Sequence, residues 1–209
     1  MAEALILAVA IYTAAAAIGY IIANRIATRR IKQPFLAFLA RFAIVFFVLF
    51  FLEFILFYGL APSIYAKLQG LTATSVGGIL SWAGAGHSIS GSTIMLHNPS
   101  LSFDITVGCL GGELFWTYVA LVLAETTASN KQRILGIIVG LAILLAFNFF
   151  RITLSVYLEW RTGFHVHDMF YLFNTVFVLL VWVLWLRTLK PGNKVRKVDG
   201  LGETSYQCR

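Results

Sequence analysis

The chain has 209 residues, of which 59% are hydrophobic and only 12% charged, with a mean hydropathy of +0.84. Soluble domains carry about a quarter charged residues and are at most about half apolar, so a disordered chain, a disulfide scaffold and a large soluble enzyme are all excluded. The balance of 16 Lys+Arg against 9 Asp+Glu gives a net charge of +7, which in a membrane protein bears on orientation before it bears on nucleic acid.

In chain order, Ala4–Ala23 is a charge-free run long enough to span a bilayer, closed by Arg25, Arg29, Arg30 and Lys32. It carries Glu3 rather than a basic leader, which suits a retained helix with its N-terminus outside. Phe35–Leu60 is a second span, carrying Arg41 and Glu53, and residues 61–70 read as a loop opened by Pro62. Leu71–Ala85 is rich in Gly, Ser and Thr and reads as an interfacial or re-entrant helix. Between Ser88 and Val107 the pattern turns to alternation, two β-rich runs around Asn98-Pro99, which predicts a small hairpin outside the hydrocarbon. A third span starts at Ile105 or Cys109 and ends at Ala124, a fourth covers Ile134 to Leu158, and a fifth Met169 to Leu189. The expected fold is an all-α polytopic membrane protein of about five to six transmembrane helices with a small extracytoplasmic β-hairpin. It forms a single transmembrane domain over 1–189, its catalytic part about 70–189, followed by a basic cytosolic tail at 190–209.

The positive-inside rule sets the sides. With the loop after the first span in the cytosol, Arg25, Arg29, Arg30, Lys32, Lys131, Arg133, Arg187 and the cations of the tail are all cytosolic, and Lys67 and Arg161 lie in outer loops. That orientation brings polar groups of three segments to one level. Cys109 at the head of span three and Arg151 near the end of span four both sit about 25 Å from the cytosolic boundary, at a rise of about 1.5 Å per residue. His167, just before span five, arrives at the same height. A thiolate is a strong nucleophile, a fixed guanidinium favours it and can hold an oxyanion, and an imidazole can take and return the thiol proton. Asn148, one turn below Arg151, is placed to bond it or a substrate carbonyl. Glu113, one turn below Cys109, is placed to pair with Arg151 or Arg41.

Cys109-Leu110-Gly111, then Asn148-Phe149-Phe150-Arg151-Ile152, then His167, in this order on consecutive spans, resemble the exosortase/archaeosortase family of membrane cysteine transpeptidases over about residues 70–190. The resemblance implies Cys109 as nucleophile, Arg151 as electrostatic stabiliser and His167 as acid/base, with Gly111, Asn148, Glu113 and His165 in supporting or substrate-binding positions. His165 is the rival of His167, which abuts the span and matches the motif. The implied reaction is cleavage, outside the membrane, of the C-terminal sorting tail of an exported protein, a short motif followed by a hydrophobic helix and a basic end. The acyl group then passes to a lipid or glycan-linked acceptor. No cofactor or metal is implied, His87 and His97 lack metal-ligand spacing, and no nucleic-acid partner is expected. Asp168 reads as an N-cap before Met169 or as a partner that orients the histidine. Two readings from other classes stand beside this one: a non-catalytic membrane scaffold held together by its polar residues, and a small-solute transporter using Arg151 and Glu113.

Overall fold

The computed structural model describes residues 10, 11, 14, 16–25, 33–56, 62–97, 100–163 and 167–189, without the side chains of 167–169, 171 and 172. Residues 16–25 are helical. They are followed by α1 (Pro34–Ile55), α2 (Pro62–Trp82), strands β1 (His87–Ser90), β2 (Thr93–Leu96) and β3 (Leu101–Asp104), a 3-10 turn (Gly108–Leu110), α3 (Gly112–Ala124), α4 (Asn130–Thr162) and α5 (His167–Thr188). The protein is mostly helical, and α1 and α4 are long and apolar enough to cross a membrane. Gly112–Ala124 and Phe173–Thr188 are shorter apolar helices. The far ends, with Cys208 and the basic tail, lie outside the described residues.

Three boundaries differ from the sequence-based expectation. The stretch 62–70 is not a loop but the first turns of α2. Proline is tolerated in a helix's first turn, where its missing N–H has no intrahelical partner, and Tyr65-Ala66-Lys67-Leu68-Gln69 then offers little to stop a helix. The hydroxyls that make α2 look weak return to the carbonyl one turn back: Thr72 to Leu68 (2.9 Å) and Thr74 to Gly70 (2.8 Å). They add no unsatisfied polar group to the helix.

The expected hairpin is a three-stranded antiparallel meander, β1-β2-β3, with His87 opposite Leu96 and Thr93 opposite Asp104. The additional strand is joined to β2 through Gly91-Ser92, with Gly91 at φ +61°; glycine adopts this left-handed conformation without the steric cost of a side chain. Ser-rich β1 has little β-propensity of its own, and its pairing with β2 supplies the order. Asn98-Pro99, the expected turn, lies outside the described residues.

Cys109 does not open a helix. It sits in the 3-10 turn before α3, and Gly111, at φ +81°, separates the two.

The sheet packs on α2, and α2 also meets α4 directly, so that all three share one core cluster. Ile94, Leu96 and Ile105 join Ala73, Val76 and Leu80 of α2 and Ile152 and Val156 of α4 in it, together with Cys109. A second cluster joins α3, α4 and α5 through Leu114, Tyr118, Leu144 and Val178. α4 carries both. It starts at a capping box, with the Ser129 hydroxyl accepting from Gln132 N–H and the Gln132 side chain accepting from Ser129 N–H, and ends at Gly163, φ +70°. Its 33 residues give about 50 Å at ~1.5 Å per residue, well beyond the ~30 Å hydrocarbon thickness. At one end Arg133 donates to Tyr20 Oη (2.7 Å) and Glu125 O (2.7 Å); Asn148, Arg151 and Glu159 are buried nearer the other.

Close packing of α3 on α4 depends on Gly140, since a Cβ there would occupy the volume of the Tyr118 ring, whose hydroxyl donates to Gly136 O (2.9 Å). Gly140→Val is expected to destabilise the detergent-solubilised protein by about 1–3 kcal/mol through overpacking. Gly78→Ala, where a Cβ meets nothing within 4 Å, should leave the melting temperature unchanged or slightly raised. Equal melting of both variants would contradict the packing described.

Candidate active site

The segment leading to Cys109 is fixed before the thiol is reached. Gln69 Nε2 on α2 donates to Ile105 O (2.8 Å), and Ser92 Oγ donates to Asp104 Oδ1 (2.7 Å) across the sheet edge. The chain then turns, with Cys109 N–H donating to Thr106 O (3.0 Å) and Thr106 Oγ1 lying 3.4 Å from Cys109 Sγ. From the opposite side Asn148 Nδ2 on α4 donates to Cys109 O (2.9 Å). This bond crosses between elements far apart in sequence and is buried, with Asn148 only 3% exposed. It also accounts for Gly111: besides its left-handed φ, a Cβ there would come within 2.9 Å of Asn148 Cγ. Asn148 therefore bonds the main chain of the nucleophile candidate rather than Arg151.

Cys109 and Arg151 line one small cavity of about 40 Å³. Both are buried, at 7% and 2% exposure, so the guanidinium lies inside the protein rather than snorkelling to a surface. The remaining wall comes from Phe103, Asp104 and Ile105 of the sheet edge and from Ile152, Ser155, Val156 and Glu159 of α4. Ser155 Oγ donates back to Arg151 O (2.9 Å). With the Asn174 amide oriented as its neighbours require, its Oδ1 accepts from Arg151 Nη1 (2.8 Å) and its Nδ2 donates to Phe170 O (3.2 Å). Arg151 is thereby tied to α5 as well as α4. The carboxamide adds a hydrogen-bond partner that orients the guanidinium and carries no charge of its own.

His167 is the first residue of α5, two turns before Asn174; its side chain lies outside the described set, as does His165 altogether. Asp168 is within α5 and so is not its N-cap. Glu113 is exposed in the first turn of α3 and makes no ion pair among the described residues, with either Arg151 or Arg41. No group of three or more His, Cys, Asp or Glu that could hold a metal is found among the described residues.

The sequence reading did not single out Thr106, Ser155, Glu159 and Asn174. Ser155 and Glu159 follow Arg151 at successive i+4 steps on one helix face, a spacing that could have been read. Asn174 carries no such signal, because its contact depends on how α5 packs.

The fold and this site together define a helical membrane protein in which a buried cysteine and a buried arginine line one cavity. The chain belongs to the transmembrane exosortase family (Exosortase_EpsH), whose model matches residues 4–188. No curated protein and no solved structure matches it.

Removing the Asn148 amide should loosen the Cys109 turn. In a Cys208→Ser background, Asn148→Ala is expected to lose about 1–3 kcal/mol of stability, the cost of an unpaired buried carbonyl. The rate of maleimide labelling at Cys109 should rise several-fold. Unchanged labelling would mean that the bond does not restrain the thiol.

Proposed function

We propose that this chain is a cysteine transpeptidase that cleaves the C-terminal sorting tails of exported, membrane-anchored proteins on the extracytoplasmic side and passes the acyl group to a lipid or glycan-linked acceptor. The observation that carries this reading is the shared cavity of the Cys109 thiol and the Arg151 guanidinium, in a chain of the exosortase family. The positive-inside rule, applied to cations such as Lys131, Arg133 and Arg187, supports the extracytoplasmic side.

In the proposed reaction the Cys109 proton passes to the imidazole of His167 as the sulfur attacks the scissile carbonyl carbon. The C–S bond forms, and the carbonyl electron pair moves to oxygen, where Arg151 stabilises it. Collapse of this intermediate breaks the C–N bond, and the imidazolium returns its proton to the departing amine. The acceptor nitrogen then attacks the thioester carbon, the C–S bond breaks, and the proton released by the nitrogen restores the thiol. Neither metal nor organic cofactor enters these steps. Asn148 holds the Cys109 main chain while the sulfur changes partners, and Asn174 holds the guanidinium.

Cys109→Ser should abolish processing of a tail-bearing reporter while the membrane abundance of the variant stays normal. Arg151→Lys keeps the charge but loses the planar fork that bonds Asn174, and is expected to slow processing by about 100-fold, the size of a lost oxyanion donor. Undiminished processing by Cys109→Ser would leave the non-catalytic scaffold reading, in which these buried bonds only join helices.

A further inference from the structure

A second cavity lies behind the Cys109 turn. It has about 250 Å³ and is lined by Glu53 of α1, Tyr65 of α2, Gly112 and Trp116 of α3, and Asn148 and Phe149 of α4. Three observations set its chemistry. Glu53 Oε2 accepts one hydrogen bond, from Trp116 Nε1 (2.7 Å), and no Lys or Arg pairs with this carboxylate among the described residues. Asn148, 97% buried, points its Nδ2 at Cys109 O and leaves its Oδ1 buried without a hydrogen-bond partner. Gly112 leaves room for the carboxylate, since a Cβ there would fall on Glu53 Oε1. The site thus offers a carboxylate and an amide oxygen, two acceptors short of donors, between the aromatic rings of Tyr65, Trp116 and Phe149. Acceptor oxygens with aromatic walls suit a cation that carries its own N–H donors.

We propose that this cavity binds a primary ammonium group, with Glu53 as its counter-ion and Asn148 Oδ1 as a second acceptor. A primary ammonium has three N–H donors on a small head, which fits the acceptors and the volume better than a planar guanidinium or an anion. The mouth is edged by Leu68 and Leu145, both exposed on the apolar exterior, so a ligand with an apolar tail can enter from the side. Asn148 links this cavity to Cys109, and a neighbouring cavity of about 210 Å³ extends from Glu53 past Gly112 to Gly108 and Glu113, against the same turn. On the transpeptidase reading, which this inference deepens, the cavity is the acceptor amine's binding site and Glu53 selects it.

The test uses the full-length protein in phosphatidylcholine nanodiscs, titrated with glycinamide as a water-borne amine and hexylamine as an apolar-tailed one. The signal is the fluorescence change that disappears in Trp116→Phe. A saturable change is expected with at least one amine, and the stronger probe tells whether the natural ligand is water-borne or lipid-borne. Glu53→Gln should raise the half-saturating concentration at least tenfold. Should that variant fail to fold, Glu53→Asp, which keeps the charge on a shorter arm, should raise it at least threefold. Cys109→Ser should keep the response. If Cys109→Ser still processes tails, the transpeptidase reading fails while the ammonium site stands. No saturable response to either amine, an unchanged response in Glu53→Gln or Glu53→Asp, or saturation by Mg²⁺ or Ca²⁺ alone would overturn the proposal.

Discussion

The site is built on the hydrogen bond from Asn148 Nδ2 to Cys109 O. Cys109 lies on a short 3-10 turn between a sheet and a helix, an element with little stiffness of its own. In a medium without water, an unpaired carbonyl there would carry its full desolvation penalty. The Asn148 amide removes that penalty and fixes the turn to α4, the helix that also bears Arg151. One residue thus sets the position of the sulfur relative to the guanidinium, and Gly111 is required because any side chain would press on that amide.

The surrounding fold can be understood as support for this tie. α2 and the sheet hold the chain before Cys109 through Gln69 and the Ile94–Leu96–Ile105 cluster. α5 reaches Arg151 through Asn174, and α1 brings Glu53 to the other face of the turn. Buried polar groups in a membrane protein are expensive. Here Asn148, Arg151, Ser155 and Glu159 gather on one stretch of α4, and Arg133 is buried near its other end.

Much of this was legible in the sequence, for physical reasons. Long apolar runs identify helices directly, because lipid leaves the backbone few alternatives. Cys109 and Arg151 could be brought to one level by counting residues along two antiparallel helices. Features that depend on tertiary pairing were not legible. β1 is ordered by its partner strand, α2 extends through Pro62 because nothing after the proline breaks a helix, and the Asn174 contact depends on the packing of α5. Asn148 was singled out by its spacing from Arg151, but its partner could not be deduced, since helical periodicity gives a direction and not a neighbour. Glu113 shows the converse error: a charge one turn from Cys109 was expected to pair, yet the first turn of α3 points it outward.

In the proposed reaction the Cys109 sulfur carries the acyl group. Intact-mass and peptide mass spectrometry of the wild-type protein, quenched in acid during turnover of a tail substrate, tests this directly. The expected result is an adduct of the substrate's acyl mass on the peptide containing Cys109, lost on treatment with neutral hydroxylamine and absent from Cys109→Ser. Turnover with no adduct at Cys109, or an adduct on another residue, would contradict it.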